Sequence, residues 1–569
     1  MCGIVGIVSP VDPIDPAELD RFTDALVHRG PDGRGTFISS SVGLGHRRLS
    51  ILDLSADGAN PLPFGGGDGR RYWITYNGEV FNFIELRAEL EALGWIFRTE
   101  TDTEVVGAAY AQWGEDALLR FNGMWALAIW DTVERRLFLA RDRFGIKPLY
   151  YAVLPGRVAF ASELKAFLAL AGMERRLDRD MAGLMLENPY AFEGSSDGTL
   201  MAGVHKLQGG CRLVVTADGR IDLSRWWETR DHLPQVPDRY EEQVEAFRSL
   251  FLDAVRLRLR SDVPVGLSLS GGMDSSAIAG TMAWHRRHEA AVEREAVTPP
   301  RAFIASFPNA VNDETPHADA VVRHAGFEAH HWNFDPAAAL GHVLDSVWAV
   351  DEVYGGLNVP IWANYQAMRR FGVTVSVDGH GGDEMLSGYP WYLDLPLSKL
   401  NDRLYDDVHR TLLPSILRVY DRCSMAHGVE VRMPFMDWRL VTFTMALPPQ
   451  AKLGKGYTKR VLRDAMAGIM PEAIRLRRQK IGFNSPLAEW LNSGLGDLYR
   501  QVMEHPLWLE APWWDGPAER DRILAKCAAR TWTMADWNDA MGSWTRINLV
   551  LWYMLFIEGR PVTAPFRAS

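Results

Sequence analysis

The chain runs to 569 residues, longer than a single hydrophobic core usually grows, so two domains are the expected minimum. Apolar residues make up 47% and charged residues 23%, which excludes extensive disorder and a fibrous architecture. A formal net charge of −11, with no basic block to override it, sets nucleic acid aside as a partner.

At the amino terminus, residues 1–10 lack a basic n-region and cleavage site and read as a buried strand, not a signal peptide. Short β-like segments follow at 3–8, 71–76, 124–131, 136–140 and 158–162, separated by Gly and Asp turns. Helical spacing interrupts them at 83–93, with Ile84, Leu86, Leu90 and Leu93 on one face, and at 104–113. The pattern predicts an α+β domain of sandwiched sheets over residues 2–225, then a polar, proline-bearing linker at 226–239. From 240 to 569 the pattern changes to α/β: a strand at 264–268, a helix at 275–286, a strand at 302–307, a helix at 318–325 and a strand at 329–334. Such alternation predicts a parallel sheet with crossover helices.

Beyond about Asn401 the chain reads as mostly helical, and its many tryptophans (Trp508, Trp513, Trp514, Trp532, Trp537, Trp544, Trp552) are assigned to packing. The longest late apolar run, 547–557, is too short for a membrane helix, which needs about 20 residues. Cys2, Cys211, Cys423 and Cys527 show neither CxxC pairs nor His-rich spacing, so no disulfide framework or structural zinc is expected and a cytoplasmic setting fits.

Loss of the initiator Met would leave Cys2 with a free α-amine of pKa about 7.7 to 8, able to deprotonate its thiol or a water. Taken alone, Cys2 fits a nucleophile and a small buried thiol equally well. A nucleophile acting on an amide also needs an oxyanion donor and clamps for a zwitterionic substrate. Asn77-Gly78-Glu79, placed at a turn after the strand 71–76, offers a side-chain amide and a glycine N–H; Arg48 can pair bidentately with a carboxylate, and Asp102 can receive an ammonium.

MCGIVGI, HRGPDG (28–33), HRRLSI (46–51), YNGEVFN (76–82) and TDTE (101–104) together resemble the class II glutamine amidotransferases. The resemblance spans the first domain and implies an N-terminal-nucleophile αββα sandwich. It implies that Cys2 is the nucleophile, that Arg48, Glu79 and Asp102 hold glutamine, and that Asn77 and Gly78 form the oxyanion hole. RDRFGIKPLY (141–150) and FASELKA (160–166) match the same family and are read as scaffold or domain interface, and His28 and Asp32 as turn structure.

Ser270-Gly271-Gly272-Met273-Asp274-Ser275-Ser276 lies between a predicted strand and helix, where small residues let backbone N–H groups approach a phosphate and the three serines add donors. It lacks the GK[ST] ending of a Walker loop, and a serine-capped glycine turn is the plain alternative. The loop resembles that of adenylating ATP pyrophosphatases. The resemblance implies Asp274 for Mg2+ and pyrophosphate, with Ile304, on a strand beside the adenine, and Gly379 also contacting ATP. SVDGHGGDE (376–384) again follows a strand; Asp383 is a candidate for a second Mg2+, while Glu384 fits a capped turn better. Asp421-Arg422, Ser424-Met425 and GVEVRMPFMD (428–437) resemble asparagine synthetases, and Lys459 aligns with the lysine that neutralises pyrophosphate and acyl-adenylate charge. Outside that resemblance a lone helical lysine is normally solvated.

The whole chain thus resembles the glutamine-hydrolysing asparagine synthetases. That implies glutamine, ATP and a carboxylate acceptor as substrates, aspartate first, Mg2+ as cofactor, an acyl-adenylate, and release of AMP and pyrophosphate. No nucleic acid or membrane partner is implied, and the oligomeric state is open, a homodimer included. Ammonia protonates in water, so an enclosed passage between the sites is expected. One departure is His380, where these enzymes usually carry Glu. It can act as a base of ordinary pKa near 6.5, lowered if buried beside a cation, or mark a relative that amidates a sugar uronate, a peptide or secondary-metabolite acid, or that closes a ring. A non-catalytic regulatory homologue is the remote alternative, and the SGGMDSS loop argues against transfer to a sugar phosphate.

Overall fold

The computed structural model describes residues 1–10, 12–65, 70–288, 294, 300–306, 313–480 and 487–561. Two antiparallel six-stranded sheets build the first domain. One contains β1 (Gly3–Val8), β2 (Gly33–Ile38), β3 (Val42–Arg48), β8 (Tyr150–Leu154), β9 (Arg157–Ala161) and β10 (Val204–Lys206), in the order β10-β8-β9-β1-β3-β2. The other contains β4 (Leu62–Phe64), β5 (Tyr72–Val80), β6 (Gly123–Asp131), β7 (Arg136–Arg141), β11 (Cys211–Thr216) and β12 (Ile221–Arg225), in the order β12-β11-β7-β6-β5-β4. The helix Pro16–Asp24 packs on the first sheet, and Asp102–Trp113 on the second. This gives the αββα sandwich. Strand β1, GIVGIV, has no polar side chain and is buried along its whole length, as a strand covered on both faces requires.

Strand β5 overrides one local expectation. Asn77, Gly78 and Glu79 do not form a turn but continue the ladder, opposite Ala126, Trp125 and Met124 of β6. The reversal comes at residues 81–82, just before the helix Phe83–Ala92. Nine consecutive pairings to β6 outweigh the turn preference of an Asn-Gly pair. Strand β4 pairs only with residues 72–74, so among the described residues no strand covers that edge of β5 where Cys2 donates to Asn77.

Between the domains, Trp227 is buried and stacked on His232 at 3.9 Å, whereas residues 233–239 are largely exposed. Strands β13 (Val265–Ser268), β14 (Arg301–Ser306), β15 (Glu328–Asn333), β16 (Val375–Val377) and β17 (Glu430–Arg432) form a parallel sheet in the order β15-β14-β13-β16-β17. Phe307, expected to end the second of these, lies outside the described residues. Strand order reverses between β13 and β16, so the loops leaving these two strands open a crevice at their carboxyl ends, where such sheets bind ligands.

The carboxy-terminal part is helical. In its longest described helix, Trp537–Phe556, Trp544 and Trp552 are fully buried, and Trp544, Asn548 and Trp552 follow one another four residues apart on one face. They donate to the carbonyls of Gly356 (2.9 Å), Tyr354 (3.1 Å) and Asp351 (2.7 Å), pinning the loop 351–356. Among the described residues no helix is long and apolar enough to cross a membrane.

Candidate active sites

Cys2 directly precedes β1, and its backbone N–H donates to the Asn77 side-chain oxygen at 3.0 Å. The amide nitrogen of Asn77 is buried with no hydrogen-bond partner, an unspent donor next to the thiol. A buried donor left free beside the thiol is available to an oxyanion forming at Cys2. Burial pushes the Cys2 thiol up, while the amino terminus, the Leu49 backbone N–H and Arg48 pull it the other way. With Met1 attached, the terminal amine sits 3.1 Å from Glu430, a residue of the second domain.

The expected clamps gather here with two residues the sequence did not point to. Asp102 accepts from the Tyr76 hydroxyl and the Val80 N–H, both at 2.9 Å, and burial pushes its pKa up to about 6. Glu79 is raised well above the carboxylate range by burial and by Asp102 and Glu430. Arg432, from β17, lies 3.7 Å from Glu79 and pulls it back. The Arg48 guanidinium is anchored by the carbonyls of Ser55 (2.7 Å) and Asp53, which fix it at the rim.

Across the domain boundary the charges are buried and paired. Arg29 donates to the Cys2 carbonyl (2.9 Å), to Glu163 (2.7 Å) and to Asp421 (2.9 Å). Asp421 also receives Arg422 (2.9 Å) and lies 3.5 Å from Lys147, while Lys165 pairs with Asp351 at 2.9 Å. The segments 141–150 and 160–166 therefore serve as interface. His28 lies in a turn as expected and its ring also pairs with Glu163 at 2.7 Å, while Asp32 caps a turn through the Ser50 N–H (2.9 Å). Removing one member of such a buried network costs about 3 to 5 kcal/mol because its partner is left uncompensated.

The second site lies in the crevice between β13 and β16. Gly271 has φ +73°, and a Cβ there would come within 2.6 Å of the Ala318 nitrogen, so the loop needs glycine. Ser270 Oγ accepts from the Gly272 N–H (3.2 Å) and pairs with Ser275 Oγ (3.1 Å), while the buried hydroxyl of Ser276 has no partner. These small groups precede or open the helix Met273–His288, where free N–H groups favour a phosphate. Ile304 is buried in β14 next to β13, and Gly379 follows β16 against Asp274.

Lys459 binds Asp274 and, at 2.6 Å, Asp383. The lysine is not on a helix as expected: it caps the helix Arg460–Ala465 with φ +53° and is buried, held by its two carboxylates rather than by solvent. At Gly388 a Cβ would meet Asp383 Oδ1 at 1.9 Å and the Lys459 side chain at 2.3 Å, so only glycine permits this approach. Lys480, which sequence reasoning missed, also pairs with Asp383. Lys459 and Lys480 hold Asp383 well below the usual carboxylate range against the effect of burial. Asp274 is raised by burial, with Lys459 pulling it down. Its Oδ1 is buried and unpaired, and two carboxylates supply the oxygen donors that Mg2+ takes, so the residues fit that ion. Glu384, assigned to a capped turn, is buried and accepts from the Tyr389 hydroxyl at 2.5 Å; burial and Asp383 push it up to about 7.

His380 sits in the same loop with its ring centroid 3.8 Å from that of Tyr420. Burial lowers its pKa, as expected, but no cation drives the shift: the neighbouring charges are Asp378 and Asp383, which pull it up. Its Nδ1 is buried without a partner. Asp378 accepts from the Tyr365 hydroxyl at 2.5 Å and braces the loop.

Residues 1–227 match the family model of the glutamine amidotransferase domain, and residues 246–400 and 396–553 match that of asparagine synthase. The chain is 28% identical to asparagine synthetase [glutamine-hydrolyzing] 1 of Bacillus subtilis (strain 168), over 98% of each chain. To asparagine synthetase [glutamine-hydrolyzing] 3 of the same organism it is 30% identical, over 87% of this chain and 90% of the relative. Over 65% of this chain and 55% of the relative it is 32% identical to amidase chyE of Penicillium rubens. With a glutamine amidotransferase domain over residues 1–227 and an asparagine synthase domain over residues 246–553, the chain belongs to the asparagine synthase family of glutamine-dependent amidotransferases.

Proposed function

We propose that the chain hydrolyses glutamine at Cys2 and uses the ammonia to amidate a carboxylate that ATP has activated as an acyl-adenylate. The observation that carries the second half is Lys459 bound to both Asp274 and Asp383 in the crevice between β13 and β16. A carboxylate becomes a competent electrophile as a mixed anhydride with AMP, and a buried cation beside two potential metal ligands suits loss of pyrophosphate. Mg2+, held by Asp274 and Asp383, would neutralise phosphate charge there. In the first site, the thiolate of Cys2 attacks the glutamine side-chain carbonyl, the Asn77 amide and Gly78 N–H receive the oxyanion, and Glu79, Asp102 and Arg48 clamp the zwitterion. Glutamine, ATP and a carboxylic acid incubated together should release AMP and pyrophosphate; release of ADP and phosphate would sink the adenylate reading.

The Bacillus relatives' names make aspartate the first acceptor to test, with asparagine as product. A second reading, amidation of a different acid, is supported by His380 against Tyr420 and by the name amidase on a relative. In either case His380 is suited to take the proton from attacking ammonia. His380→Ala should slow amide formation about a hundredfold while acyl-adenylate forms at the wild-type rate, as rapid quench would resolve. Because its pKa is lowered, the ring stays neutral below the ordinary 6.5, so the amide-forming rate should hold level from pH 7.5 to 6.5. Unchanged rates in the variant would dismiss the role.

Glutamine binding has its own pH dependence. An ammonium is held by the ionised carboxylate, and Asp102 protonates as pH falls through about 6. The glutamine KM should therefore be level near pH 8 and climb about tenfold per pH unit below 6. A KM that stays flat to pH 5 would remove Asp102 from the clamp.

A further inference from the structure

The segment 477–480 bridges two walls of the crevice in the second domain. At one end Arg477 Nη2 donates to Glu314 at 2.7 Å, and at the other Lys480 pairs with Asp383. We propose that Arg477 binds the β- and γ-phosphates of ATP, and then the pyrophosphate they become, and that Glu314 positions its guanidinium for that contact. The inference rests on the adenylating function proposed above and adds a residue to its phosphate site.

The sheet places the segment. Glu314 directly precedes the helix Thr315–Ala325, and the Thr315 hydroxyl donates to Ser306 Oγ at 3.1 Å, which sets Glu314 at the carboxyl end of β14. Asp383 follows β16, and β13 runs between β14 and β16. A segment fastened to both carboxylates therefore passes the glycine-serine loop that leaves β13. Three residue steps span at most about 11 Å, so Arg477 and Lys480 stand close together. The helix after Glu314 also packs on that loop, because a Cβ on Gly271 would lie 2.6 Å from the Ala318 nitrogen and 2.8 Å from the His317 Cβ. The Arg477 charge acts on His317 and on Arg463, and Arg463 in turn is within electrostatic reach of Asp274. Arg477 thus stands on the flank of the loop nearer β14, with Lys459 and Lys480 on the flank nearer β16.

The guanidinium has a donor to spare. Glu314 takes Nη2, whereas Nη1 is buried and, among the described residues, has no hydrogen-bond partner. An arginine fork keeps its charge at any working pH and matches phosphate oxygens in geometry. As an oxygen of the acid bonds to the α-phosphorus, the bond from that phosphorus to the bridging oxygen breaks, and its electron pair leaves on pyrophosphate. Negative charge grows on the leaving group, and a fixed cation beside it stabilises that growth. Lys459 is already shared between Asp274 and Asp383, so a second cation on the opposite flank would meet the phosphate oxygens that Lys459 does not face.

Calorimetry on the full chain, with Mg2+ present, compares pyrophosphate and AMP as ligands of wild type, Arg477→Ala and Glu314→Gln. Arg477→Ala should weaken pyrophosphate binding about tenfold to a hundredfold and leave AMP within about twofold. Glu314→Gln keeps the cation and an accepting oxygen, so it should weaken pyrophosphate by about threefold at most. In acceptor-dependent exchange of pyrophosphate into ATP the same order should appear in the KM for pyrophosphate, with Arg477→Lys recovering part of the loss. Glutamine hydrolysis serves as the folding control. Pyrophosphate bound equally well by wild type and Arg477→Ala would overturn the inference and leave adenylation intact. Equal losses in Arg477→Ala and Glu314→Gln would overturn it too, by reducing Arg477 to one half of a structural ion pair. A wild-type chain that binds pyrophosphate but exchanges none, with aspartate or any other acid tried, would remove the adenylating function and the inference with it.

Discussion

Cys2→Ala should abolish glutamine-dependent amide formation, by about a thousandfold or more, while synthesis from added ammonium continues. The expectation follows from how the first site is wired. The unspent Asn77 amide, the Leu49 N–H acting on the thiol and the Asp102–Glu79 pair converge on one residue, and none of them reaches the crevice between β13 and β16. The substitution is also structurally mild. Cys2 makes its contacts to Asn77 and Arg29 through backbone atoms, which alanine retains. Glutamate production without ATP, and amide production from ammonium and ATP, measured on the same preparation, separate the two chemistries. If ammonium-dependent synthesis is lost in a variant with unchanged thermal stability, the division of labour between the domains is wrong.

Much of this was legible along the chain because the chemistry sits at ends of regular elements. The strand-loop-helix around 265–288 could be read from an apolar run, a glycine-serine loop and a helical period, and the same cues found Asp383. What escaped reading was set by tertiary contact. Arg432 and Glu430 join the first site only because β17 is placed against the amino terminus, and Lys480 only because its loop folds back on Asp383. No local pattern marks a residue recruited from another domain. The turn expected at Asn77 failed for a related reason, since a ladder to a distant strand outweighed a local preference. Apart from the family resemblance that singled it out, Lys459 would read as a solvated lysine, and it is buried by its neighbours in space.

Asp274→Asn should stop adenylation and spare the first site. The variant keeps the shape of the side chain but removes a charge that Lys459 now balances, so Lys459 would face Asp383 alone and the oxygen pair suited to Mg2+ would be lost. Truncating Lys459 instead would leave two carboxylates buried beside each other, at a cost of about 3 to 5 kcal/mol that confounds folding with chemistry. Asparagine avoids that, because an amide needs no counter-ion. Losing one preorganised electrostatic contact at a developing charge typically lowers a rate about a hundredfold to a thousandfold. Acceptor-dependent exchange of pyrophosphate into ATP should fall by at least that factor, while glutamine hydrolysis at Cys2 stays near its basal rate. The comparison with Cys2→Ala is reciprocal: each variant silences one domain and reports through the other. Exchange that remains robust in Asp274→Asn would mean that the loop after β13 is scaffold, and that the catalytic charge of this crevice resides elsewhere.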